Sequence, residues 1–124
     1  MAYRVRAQVK EWGGKRIHCF DLSGITGRDE AVDAMRQERE AMDGAAPGSL
    51  LTLTDVTGSG LDRATLRTLM ELALQNKPLV RAAAIVGLSD EQRQALLDVS
   101  RVADRDFATF ETVEQARDWL ASQG

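Results

Sequence analysis

The stretch that most constrains this chain is Leu50–Pro78, LLTLTDVTGSGLDRATLRTLMELALQNKP. An apolar run, Leu50–Val56, gives way to a short polar loop holding Gly58 and Gly60. An amphipathic segment, Leu61–Asn76, follows, and Pro78 stops it. Its apolar residues Leu66, Leu69, Met70 and Ala73 recur at helical spacing. Strand, glycine-bearing loop and helix in that order are the unit of an α/β fold. In such folds working groups gather where the strand empties into the loop.

The flanking segments extend the pattern. Tyr3, Val5, Ala7 and Val9 alternate with Arg4, Arg6, Gln8 and Lys10, which predicts a strand with one buried face. Gly13-Gly14 supplies a tight hairpin turn, and Lys15–Leu22 returns antiparallel. On that return strand His18, Phe20 and Leu22 share one face, while Ile17 and Cys19 share the other. Ser23–Arg28 connects to a charged helix over Asp29–Asp43, with Val32, Met35 and Met42 as its apolar stripe, helped by Ala31 and Ala34. Gly44–Gly48, with Pro47, ends it.

Beyond Pro78, Arg81–Leu88 is almost wholly apolar, as expected for a strand covered on both sides. Ser89 opens the next helix, with Gln92 as its capping-box partner and Leu96, Val99 and Ala103 facing inward. Phe107–Phe110 is a short strand. Thr112 and Gln115 form a second capping box ahead of Val113, Ala116, Trp119 and Leu120. The expected order is β-β-α-β-α-β-α-β-α: one α/β domain over residues 1–124. Its mixed sheet has about five strands, an antiparallel hairpin first and mostly parallel strands after it. No internal repeat, low-complexity tract or second domain is evident.

Composition closes several routes. The net charge of −3 gives no reason to expect nucleic acid or an anionic membrane surface. Positive charge is concentrated at Arg4, Arg6, Lys10, Lys15 and Arg16, which reads as a solvated edge hairpin. No apolar run approaches the roughly 20 residues of a membrane helix, and no signal-peptide core opens the chain. A cytoplasmic protein is the default expectation. One cysteine excludes an internal disulfide, and one His with one Cys does not supply a metal site.

His18 and Cys19 are strand neighbours, so they point to opposite faces and cannot act as a nucleophilic pair. His18 reads as a partly buried structural residue. No G-x-S-x-G elbow or Walker lysine occurs, and Arg63 stands where a dinucleotide fingerprint needs its third glycine. The carboxylates Asp29, Glu30, Asp33, Glu38, Glu40 and Asp43 interleave with Arg28, Arg36 and Arg39 as a solvated, salt-laced helix face. No cofactor is expected, and an enzyme is disfavoured.

What remains is the loop edge. Asp21–Thr26, Asp55–Gly60 and Gly87–Asp90 leave the carboxyl ends of parallel strands and bring Asp21, Ser23, Asp55, Thr57, Ser59 and Ser89 toward one side. Backbone N–H groups at helix starts favour an anion there by roughly 0.3–1 kcal/mol. The same residues also serve as plain helix and turn caps, and the sequence leaves both readings open.

Four segments carry a resemblance: GGKRIHCFDLSG, LLTLTDVTGSG, NKPLVRAAAIVGLS and FATFETVEQARDWL. They span nearly the whole chain. The chain resembles the SpoIIAA-like branch of the STAS domains (sulfate transporter and anti-sigma-factor antagonist), which is also grouped with the lipid-carrying Sec14 fold. That resemblance implies a non-enzymatic regulatory or protein-binding role with a protein partner. In anti-sigma antagonists a serine at a helix start, in an Asp-Ser-Ser-Gly type motif, is phosphorylated and switches association. The corresponding region here is Asp55–Gly60. Ser59 is the nearest match and Thr57 the second, with Gly58 where that motif has the preceding Asp. The alternative it implies is a small carrier for an anion or a lipid. A homodimer through a sheet edge or helix face is compatible with the layout, and no residue specifies one.

Overall fold

The computed structural model describes residues 5–103 and 108–123, without the side chains of residues 72 and 99–103. Ten elements follow one another: β1 (Ala7–Trp12), β2 (Lys15–Asp21), α1 (Arg28–Met42), β3 (Leu50–Asp55), α2 (Arg63–Leu74), a 3₁₀ turn (Lys77–Leu79), β4 (Val80–Val86), α3 (Asp90–Ala103), β5 (Ala108–Phe110) and α4 (Val113–Ala121). The expectations for Tyr3 and Phe107, and the inward placement of Val99 and Ala103, lie outside the described residues.

The sheet runs β1-β2-β3-β4-β5, each strand beside its sequence neighbour. β1 and β2 are antiparallel, and every later pair is parallel. Gly13 and Gly14 take φ of 57° and 77°, the pair of left-handed residues that a two-residue hairpin turn requires. Parallel crossovers are right-handed. Three successive crossovers stepping the same way therefore set α1, α2 and α3 on one face. There Ala31, Met35, Leu66, Leu69 and Leu96 meet Phe20, Leu22 and Ile85. α4, after the last strand, folds across the other face, where Ala116 and Leu120 cover Ile17, Leu51, Leu53 and Ala84. Helices on both faces were expected; the distribution is three against one.

Several local expectations are corrected. The expected apolar face is only half-buried at Ala7, which packs on the core; Val9 in β1 is 44% and Val5 ahead of it 76% exposed. The buried residue there is Arg6, at 6%. Its guanidinium donates to the Asp21 carbonyl at 2.8 Å and pairs with Glu30, while its backbone N–H donates to Gln37 Oε1 at 2.7 Å. This polar residue, just ahead of β1, is buried because it ties the hairpin to α1.

On α1 the inward arc is Ala31, Ala34, Met35, Glu38 and Met42. Val32 is exposed and Glu38 is not part of the solvated face. The salt-laced face survives at Arg36, which pairs with Asp33 and Glu40. α2 ends at Leu74, before Pro78, and the proline sits inside the following 3₁₀ turn. Pro78 therefore shapes the entry to β4 rather than ending α2.

Candidate functional site

The register sets Asp21 beside Asp55 and Asp55 beside Val86 on three adjacent strands. The ladder continues past the strand ends. Leu22 N–H donates to the Asp55 carbonyl at 2.8 Å, Gly24 N–H to the Thr57 carbonyl at 3.1 Å, and Val56 N–H to the Val86 carbonyl at 2.9 Å. The first two loops leave the sheet in step.

They do so because they are the same turn twice. Asp21-Leu22-Ser23-Gly24 and Asp55-Val56-Thr57-Gly58 share the pattern Asp, apolar, hydroxyl, Gly. In each, Asp Oδ1 accepts from the backbone N–H two residues on, at 2.9 Å both times. The same oxygen accepts the hydroxyl of that residue: Ser23 Oγ in one turn, and Thr57 Oγ1 at 2.6 Å in the other. Leu22 and Val56 are buried at 1%. Gly24 and Gly58 complete the turns at φ of 72° and 67°. The repeat is legible in the sequence as DLSG and DVTG, and its spacing of 34 residues carries one turn from β2 to β3.

Gly87 continues the edge on the next strand. Its N–H donates to the Phe110 carbonyl at 3.1 Å. A Cβ placed on it would lie 2.1 Å from Thr57 Oγ1. The Thr57 hydroxyl is thus held between Asp55 and the Gly87 backbone.

Ser59 is set differently. α2 begins at Arg63, and its cap is Asp62, whose Oδ1 accepts from Thr65 N–H at 2.7 Å. That backbone bond, with help from the Thr65 hydroxyl, holds the Asp62 carboxyl below its usual range. Ser59 therefore stands three residues ahead of the cap. Its hydroxyl accepts from Gln92 Nε2 at 3.1 Å. The same nitrogen donates to the carbonyls of Ser59 at 3.3 Å and Leu61 at 3.4 Å. At the other end of this buried side chain, Gln92 Oε1 accepts Ser89 N–H at 3.0 Å, and Gln92 N–H donates to Ser89 Oγ at 3.2 Å. The capping box of α3 is built as expected, and its glutamine also reaches across to the Asp55–Gly60 loop. Sequence spacing shows the first half of that arrangement; the second is tertiary.

Gly60 N–H donates to the Ile25 carbonyl at 2.8 Å and closes the two loops on each other. The edge therefore brings Asp21, Ser23, Asp55, Thr57, Gly58, Ser59, Gly60 and Ser89 together. His18 pairs with Thr52 in the register, three residues short of the Asp21–Asp55 level, and belongs to the face opposite Cys19. Burial, with Arg16 nearby, lowers its pKa.

The strand order has no reversal, so the crevice that doubly wound sheets open at such a point does not arise. Beneath α1 and α2 lies a void of about 40 Å³ between Leu22, Met35, Thr52 and Met70. Pockets for drug-sized ligands span roughly 300–1,000 Å³.

Among solved structures, an uncharacterized protein of the DUF3478 family from Shewanella loihica PV-4, with a SpoIIAA-like fold, matches with a TM-score of 0.68. The two share 19% identity, over 97% of this chain and 98% of that one. The fold is SpoIIAA-like. At that identity the likeness speaks for architecture, and the SpoIIAA-like frame is the five-stranded mixed sheet with four helices described above. No protein-family model matches the sequence, and no curated protein does. Among the described residues, no cluster of three His, Cys, Asp or Glu is placed to hold a metal ion. No helix among them is long and apolar enough to cross a membrane.

Proposed function

We propose that this SpoIIAA-like chain is a non-catalytic protein-interaction module that docks a partner protein at the carboxyl edge of its sheet and is switched at Ser59. One observation carries this reading: the Gln92 side chain joins the Ser59 hydroxyl to the N-terminal cap of α3. A phosphate on Ser59 would bring nearly two negative charges and new acceptor oxygens to that side chain. The Asp55–Gly60 loop and the start of α3 would be re-bonded together, changing the surface a partner meets. Thr57 is the weaker candidate, because its hydroxyl is already held by Asp55 and packed on Gly87. Support for a non-catalytic role comes from His18, which stands away from every hydroxyl of the edge. A lipid-carrying role has less support, given an interior void near 40 Å³.

The test replaces Ser59 and Thr57 by Ala and by Asp in turn and measures association with proteins captured from the source cells. Ser59→Asp is expected to change partner retention, with Ser59→Ala close to the unmodified chain. Amide shifts at Ser89 and Gln92 should accompany the change. Indifference of every captured partner to all four substitutions would sink the switch.

A further inference from the structure

The sheet face on which α4 lies is apart from the carboxyl-edge loops. α4 covers β3 and β4 there and reaches the hairpin at only a few points: Trp12 Nε1 donates to Asp118 Oδ1 at 3.3 Å, and Lys15 Nζ to the Gln123 carbonyl at 2.9 Å. Between helix and hairpin a groove of about 260 Å³ stays open. Cys19 and Leu53 are among its floor residues, with Gln8 and Lys10 on the hairpin side and Val113 and Arg117 on the helix side.

Three cations line it: Arg6, Lys10 and Arg117. Arg6 is engaged by the Asp21 carbonyl and by Glu30 at the Asp21 end, which leaves Lys10 and Arg117 to meet an acceptor at the other. Arg117 is oriented for one, because its guanidinium lies 3.6 Å over the Trp12 ring and its nearest carboxylate, Glu114, is 4.0 Å away. Lys10 makes no ion pair among the described residues. Burial pushes the Cys19 thiol pKa up, while Lys10 and Arg117 both pull it down, which places the two cations within electrostatic reach of the floor.

The groove is polarised. Lys10 pairs with Ile17 in the register, and Asp21 lies four residues further along β2, roughly 13 Å away. Asp21 and Asp55 form that far end, each with Oδ1 occupied by its own turn. Arg6, beside Asp21, is already paired with Glu30, so the Lys10–Arg117 end is the more favourable one for an anion.

We infer that this groove binds a small oxyanion, the carboxylate or phosphate group of a small molecule, over Cys19 between Lys10 and Arg117. Its volume lies just under the usual range for drug-sized ligands, so the ligand is small and polar. A hydroxyl or amine on that ligand would face Asp55. Ser59 takes no part, so this site and the proposed switch stand or fall separately.

The experiment is an NMR titration of the ¹⁵N-labelled chain with sodium phosphate and, separately, sodium acetate, against sodium chloride at matched ionic strength. Saturable shifts at Lys10, Cys19 and Arg117 are expected, absent with chloride; the stronger of the two probes tells phosphate from carboxylate. Lys10→Gln and Arg117→Gln should each weaken binding by about tenfold or more, as expected when one charged donor is lost. Arg63→Gln, at the exposed pair with Asp98, should bind as the unmodified chain does. Should Arg117→Gln disturb the fold through the lost contact with Trp12, Lys10→Gln decides alone. Non-saturating shifts spread over surface cations, or unchanged affinity in Lys10→Gln, overturn the inference.

Discussion

Gly58 and Gly87 both hold a left-handed backbone, yet only at Gly87 does a neighbouring residue fill the space a Cβ would need. At Gly58 nothing lies within 4 Å of that position. An alanine there pays the left-handed cost alone, roughly 1–2 kcal/mol. At Gly87, with φ of 84°, the added Cβ meets Thr57 Oγ1 at 2.1 Å and Thr57 Cα at 2.7 Å. The Cα belongs to the backbone and cannot swing aside, so overpacking adds roughly 1–3 kcal/mol. Gly87→Ala is therefore expected to lower unfolding free energy by about 2–5 kcal/mol in urea titrations, and Gly58→Ala by about 1–2. Equal losses would mean that Thr57 does not pack on Gly87 as described. At this scale the sequence was uneven. Asp55, Gly58 and Ser89 are legible because their types are tied to turns and caps. Arg6 is not, because alternation on a strand says which residues share a face and nothing about a carbonyl cluster and a glutamate waiting on one of them.

Among the elements, α4 bears the second face of the sheet by itself. Its start is fixed by the reciprocal bonds of Thr112 and Gln115. Its body is held by Ala116 and Leu120, both fully buried, and by the Phe110–Trp119 ring contact at 5.6 Å. Thr112→Ala removes the cap and should cost about 1 kcal/mol of stability. Hydrogen exchange should show the loss as faster opening of α4 ahead of α2; uniform acceleration across the molecule would contradict that. This helix could be read from the sequence with its cap and its inward residues intact. α1 could be read in part. Hydropathy turns Ala31, Ala34, Met35 and Met42 inward, as they are, but it also turns Val32 inward and Glu38 outward, whereas the buried arc takes in Glu38 and leaves Val32 exposed. Glu30 and Gln37 both reach Arg6, and satisfying that buried arginine sets the rotation. Helical periodicity finds the stripe; a polar contact made over thirty residues away in sequence shifts its edge.

For the whole molecule, the titrating groups define a pH window. The His18 pKa is lowered by burial and by Arg16, so the unfolded chain takes up its proton first. Stability from that group is full above its ordinary value of 6.5 and is lost as pH falls through the lower folded value. Asp33, held low by bonds from Arg36 and Gln37, and Asp62, held low by Thr65, lose theirs in the same direction as pH falls below about 3.8. Cys19 works oppositely: burial raises its pKa, so stability falls as pH rises past the ordinary value of 9.0. The urea midpoint should therefore be highest between about pH 6.5 and 9 and fall on both sides. His18→Gln should flatten the decline between pH 7 and 5; an unchanged decline would remove His18 from the account.

The strand order has a consequence for how such a chain is made. From β2 onward each new strand lands beside the one just finished, so no gap waits in the sheet for a segment still inside the ribosome. Each strand-and-helix unit can settle as it emerges, against a neighbour already in place. α4 is the exception. It reaches back to Trp12 and Lys15, so the hairpin that leaves the ribosome early keeps one side bare until the helix synthesised after β5 arrives to cover it.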